Sequence, residues 1–157
     1  MSDPKATAVS STGAVEFVSF VAGGQNFCIQ ITQIREIRRW APVTMLPHSP
    51  NYVLGVINLR GAVIPIVDLA CRLGFPQTEA SERHVIIMTS LGERVIGLLV
   101  DSVSEVISAS SDMRRETPQV PQDESRRYIS GLIAQDEGMT RIVDIEALMP
   151  PVPGAAA

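Results

Sequence analysis

Asp68 and Asp144 are the residues of this 157-residue chain whose type and setting most suggest chemistry, since each closes an Ile-Val-Asp phrase and two aspartates in equivalent loops can share a proton as general acid and base. Such a dyad needs a loop that bends beneath the carboxylates and a hydroxyl that braces them, the D-[TS]-G pattern. Here the phrases continue as Asp68-Leu69-Ala70 and Asp144-Ile145-Glu146. Both aspartates stand instead where a helix N-cap belongs, ahead of LACRL and IEALM with Gly74 and Pro150 as stops, and such a cap contributes about 1 kcal/mol. A small hydrolase built on Asp68 and Asp144 stays an alternative; capping is the simpler reading.

Other reactive side chains lack the neighbours their chemistry requires. His48 and His84 have no Cys, Asp or second His at metal-ligand spacing, so no metal is expected. Cys28 and Cys71 lie in apolar surroundings without C-x-x-C spacing and read as reduced core thiols. The run Ser108 to Ser111 lacks G-x-S-x-G and reads as a solvated loop. No phosphate-binding glycine motif occurs, Gly23-Gly24 reads as a hairpin turn, and no cofactor is expected.

Two features are harder to absorb. Arg60 stands between Leu59 and Gly61 in the most apolar stretch of the chain, where a buried guanidinium would need a partner. Removing the partner of such a charge costs roughly 3–5 kcal/mol where the pair is buried, against about 0–1 kcal/mol where it is exposed. Ile31, Ile34 and Ile37, spaced by three, would fall on one side of a helical turn and read either as ordinary core or as an exposed apolar face.

The elements that position these residues come in two copies. GVINLRGAVIPIVD, Gly55 to Asp68, returns in weakened form as GLIAQDEGMTRIVD, Gly131 to Asp144, and 131 − 55 and 144 − 68 both give 76. The apolar frame repeats, whereas Asn58-Leu59-Arg60 meets Ala134-Gln135-Asp136. Each half opens with a hairpin, at Val15 to Ile31 and at His84 to Val100, and the phrases Ile34-Arg35-Glu36-Ile37 and Val103-Ser104-Glu105-Val106 follow. Proline-marked connectors, Ala41 to Pro50 and Ser111 to Arg127, then lead to each Gly-x-Ile strand pair. Short strands that are apolar on both faces predict an all-β fold of two packed small barrels. The predicted organisation is a disordered tail over 1–14, a folded region over 15–149 with halves of about 15–78 and 83–149, and a disordered tail over 150–157.

A chain of this length can bury about 68–70% of its unfolded surface and needs no staple. A net charge of −4 with 4% aromatic residues argues against nucleic acid, although the doublets Arg114-Arg115 and Arg126-Arg127 could form a local basic patch. The start of the chain has no basic or apolar leader, and Asn58, Arg60, Asp68 and Asp101 interrupt the longest apolar runs, so a cytoplasmic protein without membrane insertion is expected.

Asn58-Leu59-Arg60-Gly61 followed by Ile66-Val67-Asp68-Leu69, with Ile34-x-Glu36-Ile37 upstream and LVDSVSEV at Leu99 to Val106, resembles the CheW family of bacterial chemotaxis adaptors over almost the whole chain. Without a receiver or kinase segment, it differs from the CheV adaptor and the CheA kinase. The resemblance implies two packed five-stranded SH3-like barrels, no catalysis, and a scaffold joining the cytoplasmic tip of methyl-accepting chemoreceptors to the regulatory domain of the histidine kinase CheA, at receptor arrays. It further implies a receptor groove made by Val18, Ile31, Ile34, Ile37, Val103 and Val106, a charged pair of Glu36 and Arg60 near it, and a signature loop of Asn58, Leu59, Arg60 and Gly61. The connector from Val43 to Pro47 is the candidate for meeting CheA. A pathway serving pili or surface sensing is an alternative to a flagellar one.

Overall fold

The computed structural model describes residues 13–117, 127–135 and 138–150; most of both expected tails, Arg126 and Asp136 lie outside them. Two hairpins lead the two halves. β1 (Val15–Ala22) and β2 (Gln25–Gln30) turn at Gly23-Gly24, with φ of 59° and 76° at the two glycines. After a 3-10 turn at Ile31–Gln33 and β3 (Ile34–Arg39), the connector leads to β4 (Val53–Leu59), β5 (Ala62–Asp68) and the one-turn helix α1 (Leu69–Arg72). The second half repeats this order with β6 (Val85–Leu91), β7 (Arg94–Val100), β8 (Ser102–Ala109), the two-residue β9 (Arg114–Arg115), β10 (Ile129–Gln135), β11 (Gly138–Val143) and α2 (Ile145–Leu148).

The sequence halves are not the sheets. One sheet runs β8-β1-β2-β11-β10-β9 and the other β3-β6-β7-β5-β4, so each half lends its leading hairpin to the other half's sheet. The lent hairpins are joined by short parallel pairings, Phe27 with Arg141 and Cys28 with Ile142 in one sheet, and Ile66 with Gly97 through Asp68 with Leu99 in the other. The fold is all-β and SH3-like as expected, with β9 adding a sixth strand to one sheet. Its counterpart in the other sheet is the single bridge between Thr44 and Val56. The repeat has two offsets: 76 for β4, β5 and α1, and 69 before the connector, where 103 − 34 and 106 − 37 both give that value.

Apolar residues on both faces of each strand serve separate cores, because successive side chains alternate between faces. Val15, Phe17, Cys28, Ile107 and Ile133 cluster on one face of the first sheet, and Ile64, Ile66, Ile86, Met88 and Leu99 on one face of the second. The opposite faces meet in a common core that includes Phe20, Phe27, Ile29, Val67, Ile87, Leu98, Ile145 and Leu148. Each sheet curls around its own cluster and packs on its neighbour.

Some local expectations need correction. Cys28 is buried and desolvation pushes its thiol up to about 12, but Cys71 is only half-buried, with Sγ 3.9 Å from the Asn51 carbonyl oxygen; burial first and the Asp68 carboxylate second raise its thiol. The serine run is not a loop throughout, since β8 continues through Ser108 and the buried Ala109. His84 is buried, its Nδ1 accepting from the Ser81 N–H at 3.1 Å, and His48 lies on the exposed connector. No helix among the described residues is long and apolar enough to cross a membrane.

Gly97 is the position where the parallel seam leaves no room. A Cβ there would sit 2.6 Å from Ile66 Cδ1 and 2.8 Å from Ile86 Cγ2. Gly97→Ala is expected to lower unfolding stability by about 1–3 kcal/mol through overpacking, read as a shift in the urea midpoint at unchanged slope.

Candidate functional site

The common core opens at a rim, and the apolar residues of that rim are set by two matching bulges. In β8, Val106 faces Val18 and Val103 faces Phe20, with Ser104 unpaired between them. In β3, Ile37 faces Ile87 and Ile34 faces Thr89, with Arg35 unpaired. A residue inserted into a strand reverses the alternation, so side chains three apart share a face. Val18, Val103 and Val106 thus lie on the inner face of one sheet and Ile34 and Ile37 on that of the other, while the turn carrying Ile31 packs against both β1 and β6. The isoleucine spacing is therefore not that of a helical turn running through all three; only Ile31 is in one.

These six residues divide by depth. Val18 is buried, and Ile34 and Val103 are partly buried against the common core. Ile31, Ile37 and Val106 are 36%, 46% and 54% exposed, making an apolar rim backed by the other three.

Arg60 lies across β3 from that rim. β4 and β5 turn through Arg60 and Gly61, whose φ values of 52° and 85° both fall in the left-handed region that a two-residue hairpin with the right strand twist requires. Asn58 Oδ1 accepts from the Gly61 N–H at 3.0 Å and braces the turn. Asn or Gly is the usual first residue of such a turn; an L side chain like arginine costs about 1–2 kcal/mol there. Arg60 Nη1 reaches Glu36 Oε1 at 3.2 Å, and Arg38 Nη1 reaches Glu36 Oε2 at 3.4 Å. Glu36 shares its face with Met88, opposite to Ile34 and Ile37, so the pair borders a separate cleft of about 220 Å³ lined by Leu59, Ala62, Ile64 and Met88.

The Arg60 side chain is 73% exposed and that of Glu36 30%, which places the pair in the weak class worth about 0–1 kcal/mol. The turn strain is at least as large as the ion pair's contribution. Arg38 is the member of this cluster that sequence reading missed; the strand alternation Glu36-x-Arg38 would have placed both on one face.

Fold and surfaces together define a duplicated SH3-like double barrel, a binding architecture. The CheW-like domain model matches residues 16–151. Probable chemotaxis protein CheW of Rhizobium etli is 44% identical over 145 residues, covering 92% of this chain and 94% of that protein. Chemotaxis protein CheW of Rhizobium meliloti is 44% identical over 140 residues, covering 89% and 90%. The crystal structure of scaffolding protein TtCheW from Thermoanaerobacter tengcongensis matches with a TM-score of 0.78 at 28% identity, covering 88% of this chain and 94% of that one. The chain belongs to the CheW family of non-enzymatic chemotaxis scaffold proteins.

The two aspartates hold structure in such a scaffold. Asp68 Oδ1 accepts from the Cys71 N–H at 3.4 Å and Asp144 Oδ1 from the Ala147 N–H at 3.4 Å, so each caps its helix. Asp68 is fully buried and also accepts from the Thr78 N–H at 2.7 Å and the Thr78 hydroxyl at 2.8 Å, which pins the segment joining the halves. Asp68→Ala leaves those partly buried donors without their acceptor and is expected to cost about 1–3 kcal/mol. Asp144→Ala is expected to cost about 1 kcal/mol, and chemical denaturation of both variants would check the ordering.

Proposed function

We propose that this protein couples methyl-accepting chemoreceptors to the regulatory domain of a CheA-type histidine kinase, in the cytoplasm at receptor arrays. The observation that carries this reading is a partly exposed apolar rim at a seam between two sheets, with a strained arginine turn that contributes little to stability on the opposite side of β3. An apolar rim of this size suits the tip of a helical hairpin, with Ile31, Ile37 and Val106 as anchors and Ile34, Val103 and Val18 as backing. The Glu36 and Arg60 pair lies on the other side of β3 and acts on a second surface, where charge sets register and rejects wrong partners. Strain retained at a residue whose side chain does not repay it favours a role for that side chain in recognition. Names of the relatives support the chemotaxis setting; the assignment of receptor to rim and of kinase to the connector Val43 to Pro47 is our reading.

The test separates folding from coupling. Arg60→Gly keeps the turn in its preferred backbone region and is expected to leave stability unchanged or raise it by up to about 1 kcal/mol. In a reconstitution of receptor fragment, kinase and this protein, the same variant is expected to lose receptor control of kinase phosphorylation. Wild-type control by a well-folded Arg60→Gly protein would remove Arg60 from the mechanism, and wild-type control by Ile37→Asp would remove the rim.

A further inference from the structure

An apolar groove lies away from the rim, beneath the connector and sharing Val95 with the cleft beside Glu36 and Arg60. It encloses about 550 Å³ between the connector around Leu46 and the strand pair β4 and β5, with Val53, Pro65, Arg94 and Ile96 in its walls. That volume is within the roughly 300–1,000 Å³ of ordinary ligand pockets. Pro150, the last described residue, is buried in its wall, and Arg94 Nη2 donates to the Pro150 carbonyl oxygen at 2.6 Å.

The internal repeat shows what covers the matching place in the other half. At the two offsets, Val53, Pro65, Arg94 and Ile96 correspond to Ile129, Arg141, Gln25 and Phe27. Those four residues, with Leu73, line the site where Phe75 is seated directly after α1, leaving only about 60 Å³ unfilled. Phe75 packs against the common core, and its ring also closes on Gly23, where a Cβ would lie 3.0 Å from it. The chain after α1 is therefore a strap over one copy of the groove, and the residue equivalent to Phe75 after α2 is Pro151.

We propose that Pro151-Val152-Pro153 is the strap of the second groove and that, unlike its counterpart, it is releasable. The sequence beyond Pro150, Pro-Val-Pro-Gly-Ala-Ala-Ala, has no charged side chain and matches the apolar walls. Its prolines favour an extended form that loses little freedom on docking, and seven residues reach about 20 Å at about 3.1 Å each. The first strap is fastened by polar bonds, Gln77 Nε2 to the Asn51 carbonyl at 2.8 Å and Thr78 to Asp68 at 2.7 and 2.8 Å. Their equivalents are Pro153 and Gly154, so the two side-chain bonds have no counterpart, and of the three donors only a backbone N–H, that of Gly154, is kept.

Methyl NMR of the full chain and of a chain ending at Pro150 tests this at matched concentrations. Truncation is expected to shift the methyl signals of Val53, Val63 and Ile96 and to leave Val106 and Ile133 unmoved, Val152→Asp in the full chain is expected to reproduce the shifts, and added Pro-Val-Pro-Gly-Ala-Ala-Ala peptide is expected to reverse the truncation. Identical groove signals in the two chains would overturn the proposal. Groove shifts in the full chain that grow with protein concentration would overturn it too, by assigning the groove to a second copy.

Discussion

Two parallel pairings a few residues long, together with the antiparallel pairings of β1 with β8 and β3 with β6, tie the halves of the molecule together, and the rest of the structure depends on them. β2 meets β11 at Phe27 and Cys28, and β7 meets β5 from Gly97 to Leu99. Each pairing joins strands from different halves, so neither half completes a sheet by itself. Closing such long-range contacts costs chain entropy before any area is buried, which places the fold among the slower topologies. The return is a common core in which both sheets pack through one face while curling around the other. The pairings also explain an asymmetry inside the repeat: the position filled by Cys28 in one seam is Gly97 in the other, where Ile66, Ile86 and Met88 occupy the space a side chain would need.

From that exchange follows the position of the rim. β3 and β8 are edge strands, each laid beside the leading strand of the other half's hairpin, and both carry a one-residue bulge at the same place in the repeat. In β8 the bulge is braced by Ser19, whose hydroxyl donates to the Glu105 carbonyl and accepts its N–H, both at 3.1 Å. The bulges turn Ile37 and Val106 toward the seam between the sheets, on the same face as the half-buried Ile34 and Val103. A partner seated there touches side chains that are continuous with the packing of both barrels.

Much of this was legible in the sequence, and the part that was not has a physical cause. The strand pair and helix that recur at 76 are contiguous in the chain, so their pattern of Gly, Ile and Asp survives as a readable repeat. The two caps were legible because an N-cap is a local arrangement. The exchange of hairpins was not, because which strand lies beside which is decided by packing between distant segments and leaves no periodicity. The isoleucines at a spacing of three imitate a helix, since a bulge produces the same one-sided spacing in a strand. Arg60 stood out as a charge in apolar sequence, but its left-handed backbone could be read only from coordinates. Cys71 read as core from its neighbours, yet it lies at the end of a single helical turn where one side stays open.

A duplicated frame with unlike loops gives a scaffold two kinds of surface without a second fold. The positions common to both halves, such as the Ile-Val-Asp phrases, build strands and caps and have little latitude. The positions that differ are where recognition can be placed: an arginine turn in one half against Ala134-Gln135-Asp136 in the other, and a strap fastened by Thr78 against a proline segment without side-chain donors. Contacts on such surfaces are weak one by one, because an ion pair as exposed as that of Glu36 and Arg60 contributes little free energy. On the proposed reading weakness is an advantage, since contacts repeated across an array gain by avidity while each remains free to open, and the selectivity lies in geometry rather than in strength.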